Sequence, residues 1–218
     1  MKVTISIPTC SVERLPSLVR TVESIQSGTY KDVHPVVVVD GSEQLYDQVR
    51  KRLKYVSILL NKKRIDWIAS TNRVLSEFTS SYYIYAADDI FFPHNCIESA
   101  LLTMQDKFPD GLGVVTLGRK PRCIFGLMGD KFINLFPRRQ VFCPDYTHFC
   151  SDTELLHTVK KLELFAYPPN RESQVIHKRT KDITYLLSRE VRDKDFQTRY
   201  ERQDKGYLWG INFGRVRG

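Results

Sequence analysis

The stretch Val36-Val37-Val38-Val39-Asp40-Gly41-Ser42 sets a run of apolar, β-branched residues directly before a carboxylate and a glycine. An apolar run without alternation is typical of a central strand that is covered on both faces. Amphipathic helical stripes lie on either side of it, over residues 15–25 and 67–78. This alternation of helices and strands predicts an α/β fold, with a mainly parallel sheet flanked by helices.

Further elements continue the alternation along the chain. The predicted strands are residues 3–7, 36–39, 56–60, 82–87 and 113–117. A third helical stripe over residues 97–108 follows Pro93, a residue that suits the first turn of a helix. The later predictions are a helix over residues 153–162, short strands near 165–167 and 174–176, and a charged helix over 182–205.

The regular pattern loosens after about residue 118. Residues 119–150 hold three prolines and many aromatic residues without a clean period. We interpret this part as a substrate-facing region of the same domain. The predicted organisation is a first half over residues 1–118, a second half over 119–180, and a basic helical extension over 181–218 that packs on the same domain.

The composition is that of a globular protein, with 218 residues, 42% hydrophobic and 27% charged. No stretch approaches the ~20 apolar residues that a membrane-spanning helix needs, and the apolar segment near Met1 is too short for a signal peptide. Five cysteines are an odd number without paired spacing, which indicates free thiols in a reducing compartment. We therefore expect a cytoplasmic protein, of a cell or of an infected host.

The formal charge of +8 is distributed unevenly. Residues 178–218 contain eleven Lys or Arg and six Asp or Glu, a net charge of +5. A basic segment of this kind indicates an anionic partner, either nucleic acid, an acidic membrane surface or the phosphates of a substrate. The alternative is a solvated helical surface without a partner.

Acidic residues follow two of the predicted strands. Asp40 ends the valine run, and Asp88 and Asp89 follow the apolar run at residues 82–87. Ligands of parallel sheets bind beyond the carboxyl ends of the strands. Adjacent carboxylates repel each other unless a cation or strong donors compensate them, and Mg²⁺ and Mn²⁺ prefer such oxygens. The pair therefore predicts a cation site, with a helix cap before Pro93 as the alternative.

The order of these features carries a family resemblance. The motifs, in chain order, are Ile5-Ser6-Ile7-Pro8-Thr9, the valine run with Asp40, Ala87-Asp88-Asp89-Ile90-Phe91-Phe92-Pro93, His148-Phe149-Cys150-Ser151-Asp152-Thr153-Glu154-Leu155 and Val175-Ile176-His177. Together they resemble glycosyltransferases of the GT-A fold, and within these the family 2 enzymes. The resemblance spans about residues 3–180 and implies a Rossmann-like single domain. Residues 1–118 would be its nucleotide-sugar half and 119–180 its acceptor and catalytic half.

The resemblance implies a role for each matching position. Pro8 and Thr9 would line the nucleoside pocket, and Asp40 would hydrogen-bond the base or ribose. Residues 61–72 would close over the nucleotide. The implied donor-binding residues are Pro8, Thr9, Asp40, Asn61, Asp66, Asn72, Ala87 and Asp88. Asp88, Asp89 and His177 would hold Mn²⁺ or Mg²⁺ with the diphosphate, and Asp152 would be the general base.

The sequence departs from the family pattern at two places. Matching the usual Asp-x-Asp motif to residues 86–88 makes Asp88 the metal ligand, whereas matching a triple-Asp form to residues 87–89 makes it Asp89. An alanine stands at the first position in both alignments. In addition, Thr71 stands where an arginine is common in the family. The negative charge of the diphosphate would then be compensated by other cations. The candidates are Lys62, Lys63 and Arg73.

The function that the resemblance implies is transfer of a sugar from a nucleotide donor, with a UDP-sugar favoured, to the hydroxyl of an acceptor glycan or glycoconjugate. A single base, Asp152, implies inversion; its alternative role is to cap the helix that it begins. Trp67, Tyr146 and Phe149 either stack on a sugar ring or belong to the core. The basic segment favours one alternative, a bacteriophage enzyme that glycosylates hydroxymethylated DNA. The others are a non-catalytic nucleotide-sugar-binding protein and a nucleotidyltransferase.

Overall fold

The computed structural model describes residues 1–118, 123–178, 183–206 and 209–211. The strands are β1 (Val3–Thr9), β2 (Val33–Asp40), β3 (Ser57–Asn61), β4 (Tyr82–Tyr85), β5 (Ile90–Phe91), β6 (Val114–Thr116), β7 (Gly126–Gly129), β8 (Phe165–Ala166) and β9 (Ile176–His177). The helices are α1 (Leu15–Gln26), α2 (Glu43–Arg52), α3 (Asp66–Glu77), α4 (Cys96–Lys107), α5 (Asp130–Ile133), α6 (Ser151–Lys161), α7 (Ile183–Glu190) and α8 (Arg192–Asp204). Short 3₁₀ turns cover Val12–Arg14, Pro137–Arg139 and Arg171–Ser173.

Seven of the strands form one sheet in the order β3-β2-β1-β4-β7-β6-β8. Within it β7 is antiparallel to its neighbours β4 and β6, and every other pair is parallel. β5 and β9 pair separately as a two-stranded antiparallel sheet. The prediction of a mainly parallel sheet flanked by helices is confirmed. Because parallel strands end at the same edge, the carboxyl ends of β1 to β4 lie together.

The valine run of β2 is covered on both faces, as its pattern predicts. Val37 and Val39 pack in one core cluster with Leu18 of α1 and Val49 of α2. On the other face Val36 and Val38 pack against Val74 of α3. All four valines are fully buried. Burial on both faces is typical of an interior strand, and β2 lies between β1 and the edge strand β3.

The sheet contains one strand, β7, that the sequence pattern did not predict. It is bounded by Gly126 and Gly129, and glycine is depleted from strands. A Cβ on Gly126 would lie 2.9 Å from the hydroxyl of Tyr85, and one on Gly129 would lie 2.0 Å from the carbonyl oxygen of Gly111. The glycines therefore allow neighbouring groups to approach the backbone of β7 closely. For this reason the sequence of β7 lacks the apolar pattern by which the other strands were predicted.

The aromatic residues of the second half lie mostly in the core. Phe132, Phe142 and Tyr146 are at most 3% exposed and belong to a cluster with Tyr85 of β4. Trp67 is half-buried against the same cluster. The structure therefore favours the core role for these rings over stacking on a sugar. Residues 119–122 of this half lie outside the described part of the chain.

The C-terminal segment forms two helices where a single one was predicted. The amide of Val191 donates to the carbonyl of Ser188, a tighter turn that ends α7 before α8 begins. Asp182, the first residue of the predicted helix, lies outside the described residues, as do 207–208 and 212–218. Within the parts that the structure describes, no helix is both long enough and apolar enough to cross a membrane.

α8 is joined to α6 through a buried ion pair. The guanidinium of Arg202 donates to both carboxylate oxygens of Glu154, at 2.7 and 2.6 Å, and it also contacts Asp145 at 3.1 Å. Tyr146 donates its hydroxyl to the same Glu154 carboxylate at 3.0 Å. The hydrogen bonds to Glu154 raise the pKa of Arg202, which remains a cation. This contact holds the C-terminal helix against the first turn of α6.

We expect Arg202→Gln to lower the free energy of unfolding by about 3 kcal/mol, because it leaves the Glu154 carboxylate buried without its cation. Urea denaturation at pH 7 measures the change. The control is Arg192→Gln, since Arg192 pairs with Asp193, whose side chain is 87% exposed. That variant should change stability by less than about 0.5 kcal/mol. Equal losses in the two variants would contradict a special contribution from the buried pair.

Candidate active site

The carboxyl edge of the sheet gathers most of the predicted donor-binding residues. Pro8 and Thr9 end β1, Asp40 ends β2 and Asn61 ends β3. The four lie side by side because β1 pairs with β2, and β2 with β3, in parallel register. A loop of four residues after β4 carries Ala87 and the two adjacent carboxylates, Asp88 and Asp89. Ala87 is half-buried, and both carboxylates are buried.

Asp88 is held entirely by groups from the β1 side of the sheet. Thr9 donates its hydroxyl to one carboxylate oxygen and Arg14 donates to the other, each at 2.7 Å. Burial raises the pKa of Asp88 to about 6, although the Arg14 guanidinium opposes the rise. Both oxygens of Asp88 are thus already engaged within the chain, and the residue ties β4 to the loop after β1.

Asp89 has a different environment. Its Oδ1 atom is buried and lies 3.1 Å from Nε2 of His177, within ion-pair distance. That oxygen accepts no well-aligned hydrogen bond from the residues that the structure describes. Its other oxygen lies 3.7 Å from Arg14. Asp89 therefore offers a carboxylate oxygen whose hydrogen-bonding capacity is unfilled, directly beside an imidazole nitrogen.

The small sheet of β5 and β9 brings His177 to the acidic pair. Ile90 pairs with His177 and Phe91 with Ile176. The amide of Lys178 also donates to the carbonyl of Asp89 at 2.9 Å. This antiparallel pairing joins two parts of the chain that are far apart in sequence. Metal binding by His177 remains a prediction, but its place beside Asp89 agrees with the order of the motifs.

Arg14 is the main residue of this site that the sequence analysis did not identify. It ends the 3₁₀ turn that follows β1, and Ser11 caps that turn through the amide of Glu13. Its side chain is 12% exposed and contacts both members of the acidic pair. Its position after β1 could have identified it, because β1 and β4 are parallel and the loops that follow them lie at the same edge of the sheet. It is a cation close to the position where the diphosphate was expected.

Asp40 makes its contacts with the loop that follows β3. Its carboxylate accepts hydrogen bonds from the Asn61 amide group at 2.9 Å and from the backbone amides of Ile65 and Asp66 at 2.9 and 2.8 Å. The loop also lies directly over Gly41, where a Cβ would be 3.0 Å from the backbone of Arg64. Asp40 therefore shapes the segment that was predicted to close over the nucleotide.

Asp66 adopts a left-handed backbone conformation at the start of α3, with φ of 65°. Its carboxylate accepts a hydrogen bond from Arg64 at 2.7 Å. Burial disfavours the Arg64 cation, but the hydrogen bond and the charge of Asp66 outweigh it and raise the pKa of Arg64. These two side chains form the outer part of the loop that Asp40 holds.

Asn61 and Asn72 bond within the protein. Asn61 donates to Asp40 and Ser70, and it accepts from Arg73 at 2.6 Å. Asn72 pairs with both backbone groups of Phe142, at 2.7 and 3.1 Å. Arg73 is further joined to Glu77 at 2.8 Å. Of the cations proposed to compensate a diphosphate, Arg73 is thus held on α3, whereas Lys62 and Lys63 are exposed.

Asp152 lies in the first turn of α6 and is half-buried. It does not occupy the cap position, since the cap residue of this helix is Cys150 and no side-chain capping bond is formed. Burial raises the pKa of the Tyr85 hydroxyl well above its usual range, and the charge of Asp152 contributes to the rise. Asp152 therefore lies within electrostatic range of the side chain of Tyr85, the last residue of β4.

His148 connects the second half of the chain with the donor edge. Burial lowers its pKa, and the charges that act on it include Asp66, Arg64 and Arg14. His148 therefore lies within electrostatic range of these side chains, and its neighbour Thr147 lines the same cleft as Ile65. His148, the second histidine considered in the sequence, thus occupies the boundary between the two halves.

An open cleft of about 460 Å³ lies beside this site, between α3 and the segment at residues 140–147. Its lining residues are Ile65, Ile68, Ala69, Asn72, Arg73, Ser76, Gln140, Pro144, Tyr146 and Thr147. The lining includes neither the acidic pair nor His177. The cleft is therefore separate from the acidic pair. The candidate site itself lies on the surface at the carboxyl edge of the sheet.

Known proteins share this fold and parts of this sequence. A glucosyl-dolichyl phosphate glucuronosyltransferase from Haloferax volcanii is 44% identical over 50 residues, which cover 23% of this chain and 16% of that protein. The mannosyltransferase PcManGT from Pyrobaculum calidifontis, in complex with GDP-Man and Mn²⁺, matches with a TM-score of 0.68 and 14% identity, over 94% of this chain and 64% of that one. TarS 1–349 of S. aureus, in complex with UDP-GlcNAc, matches with a TM-score of 0.63 and 11% identity, over 89% and 66%.

The two structural matches confirm the GT-A fold that the motifs predicted. The chain spans less than two thirds of the length of each of these three proteins. The family model for glycosyl transferase family 2 matches residues 4–162. Since this match takes in well over half of the sequence and includes the sheet edge with its acidic pair, the chain belongs to glycosyl transferase family 2.

Proposed function

We propose that this protein transfers a sugar from a nucleotide-sugar donor, preferably a UDP-sugar, to an acceptor hydroxyl with inversion at the anomeric carbon. The observation that carries the proposal is the asymmetry of the acidic pair. Asp88 is satisfied by Thr9 and Arg14, whereas Asp89 keeps a buried oxygen without a hydrogen bond beside His177. A structural carboxylate pair would be satisfied at both members.

Asp89 and His177 would hold the divalent cation. A carboxylate oxygen and an imidazole nitrogen are donors that Mn²⁺ accepts, and a carboxylate also suits Mg²⁺. The described residues contain no group of three or more His, Cys, Asp or Glu side chains that could hold a metal ion by themselves. Oxygens of the donor diphosphate would therefore complete the coordination. A bound cation supplies positive charge that stabilises the leaving diphosphate. The complex of PcManGT with GDP-Man and Mn²⁺ supports the use of a divalent cation together with the donor.

Arg14 would provide a second positive charge for the leaving group. Its guanidinium lies between the oxygens of Asp88 and Asp89. Thr71, at the position where family members often have an arginine, is fully buried. We therefore assign to Arg14 the compensation that the sequence left to Lys62, Lys63 or Arg73. Asp88 would serve to orient Arg14, and Asp89 would serve as the metal ligand.

The donor nucleoside would lie over the ends of β1 and β2. Pro8, Thr9 and Ala87 would contribute backbone and small side chains to its pocket. The two oxygens of a carboxylate can accept about four hydrogen bonds, and Asp40 accepts three from groups of the protein itself. One position therefore remains for the base or ribose. The loop that Asp40 holds, with Asp66, would cover the nucleotide, while Asn61 and Asn72 would fix the elements beneath it.

Asp152 would accept the proton of the acceptor hydroxyl. Its place in the first turn of α6 and its electrostatic effect on Tyr85, the last residue of β4, support this role. One base that acts opposite to the leaving diphosphate gives a single displacement and inversion. The acceptor would be a glycan or glycoconjugate. The Haloferax volcanii relative, named for a glucosyl-dolichyl phosphate, supports a glycoconjugate.

The C-terminal segment over residues 181–218 would belong to the same catalytic unit and contact anionic surfaces through its basic charge. Since the five cysteines, all within the described residues, form no disulfide with one another, we propose that the reaction takes place in a reducing compartment, the cytoplasm.

Metal-dependent donor binding is the first test. We expect a UDP-sugar with Mn²⁺ to raise Tm by about 5–10 °C at roughly 100 times its Kd, and to raise it much less without Mn²⁺. GDP- and dTDP-sugars in the same thermal-shift series report the nucleotide preference. Asp89→Asn should lose the part of the shift that depends on Mn²⁺, whereas the exposed Asp106→Asn should keep it. Absence of stabilisation by all three donors would overturn the proposed function.

The general base is tested separately. We expect Asp152→Asn to lower kcat for sugar transfer by about 10²–10⁴-fold, because the acceptor hydroxyl loses its proton acceptor. The Kd of the nucleotide, measured by calorimetry, should stay within about twofold, since Asp152 contacts the acceptor and not the nucleotide. Asp204→Asn, at an exposed position of α8, is the control. A fully active Asp152→Asn enzyme would show that another group is the base.

A further inference from the structure

A buried carboxylate from the C-terminal helix organises the loop that leads to the proposed base. Asp195 of α8 is fully buried. Its two oxygens accept hydrogen bonds from three consecutive backbone amides, those of Thr147 at 2.8 Å, His148 at 2.7 Å and Phe149 at 2.7 Å. Three amides in sequence can converge on one carboxylate only when the backbone curves around it.

We propose that Asp195 is a positioning residue for sugar transfer, and that α8 is thereby part of the acceptor half of the active site. This inference rests on the proposed function, because it concerns the placement of Asp152. Asp195 acts through the loop at residues 147–149 and does not touch the reacting groups. The family match ends at residue 162, so α8 lies beyond the part of the chain that it covers.

The connection from Asp195 to Asp152 is short and constrained. Phe149, the last amide donor, is followed by Cys150, which has a left-handed backbone with φ of 69°. The amide of Ser151 then bonds back to the carbonyl of Phe149 at 2.9 Å. A non-glycine residue persists in this conformation only where its surroundings determine it. The amides held by Asp195 supply that constraint one residue before the turn.

The same helix also fixes the chain on the far side of Asp152. Arg202 binds the carboxylate of Glu154, two residues after the proposed base. Asp195 and Arg202 are seven residues apart on α8, a spacing that puts them on one face of the helix two turns apart. α8 therefore contacts the chain on both sides of Asp152, through an anion on one side and a cation on the other.

The contacts of Asp195 are suited to orientation. Charge-assisted hydrogen bonds are shorter and more directional than neutral ones, and all three distances are at or below 2.8 Å. An asparagine at this position would direct its amide group at backbone amides that are themselves donors. The loop would then have to move, and Asp152 would move with it. Small displacements of a catalytic group lower the rate without removing the binding of a substrate held elsewhere.

The test compares Asp195→Asn with Asp193→Asn, an exposed carboxylate on the same helix. We expect Asp195→Asn to lower kcat for transfer by about 10- to 100-fold while the donor KM and the nucleotide Kd stay within about twofold. Hydrogen exchange at the amides of residues 147–149 should become faster in Asp195→Asn and stay unchanged in Asp193→Asn. A merely structural role would not separate kcat from donor KM in the folded enzyme.

Wild-type kcat and donor KM in folded Asp195→Asn would overturn the inference while leaving the proposed function intact. Wild-type protein that binds no nucleotide sugar would instead overturn the proposed function, and the inference with it. Should Asp195→Asn be largely unfolded in thermal denaturation, Asp195→Glu provides the same comparison. The glutamate keeps the negative charge but displaces the carboxylate by the length of one methylene group. A folded Asp195→Glu enzyme with normal kcat would equally overturn the inference.

Discussion

The contact between Arg14 and Asp88 determines how the acidic pair can be used. Two adjacent carboxylates, both buried at a sheet edge, cannot stay ionised without compensation. Arg14 and Thr9 supply that compensation to Asp88, and in doing so they join the end of β4 to the loop after β1. Asp89 is left with an unfilled oxygen next to His177. The pair thus divides into one member, Asp88, that joins two parts of the chain and one, Asp89, that we propose as the cation ligand.

Two further carboxylates hold loops by the same physical means. Asp40 accepts the consecutive amides of Ile65 and Asp66, and Asp195 accepts those of residues 147–149. Each is buried, and each faces a backbone segment that turns toward the sheet edge. A buried carboxylate is costly unless donors surround it, so consecutive amides fix both the charge and the loop. The loop proposed to cover the nucleotide and the loop before the proposed base are therefore each held by one aspartate.

The parts of this protein that the sequence predicted are those with a local pattern. The valine run of β2 and the carboxylates of residues 88–89 could be placed because a strand's period and its carboxyl end are visible along the chain. β7 could not, since Gly126 and Gly129 reflect close packing against Tyr85 and Gly111. Arg14 and Asp195 were missed for a related reason. Each is one charge among many in a polar stretch, and its burial depends on residues distant in sequence.

The C-terminal extension shows that a charge count does not reveal which charges are paired within the chain. The net charge of +5 over residues 178–218 pointed outward, to nucleic acid, an acidic membrane surface or the phosphates of a substrate. Within the described residues, Arg202 is directed inward to Glu154 and Asp145, and Arg192 pairs with Asp193. Asp195, which reduces the net charge, is fully buried. Charges that are paired within the chain contribute little to long-range attraction. Within the described residues, the remaining argument for an anionic partner rests on exposed cations such as Arg189, Lys194 and Lys205. The role proposed for the extension in the catalytic unit rests instead on the contacts of α8 with the chain on both sides of Asp152.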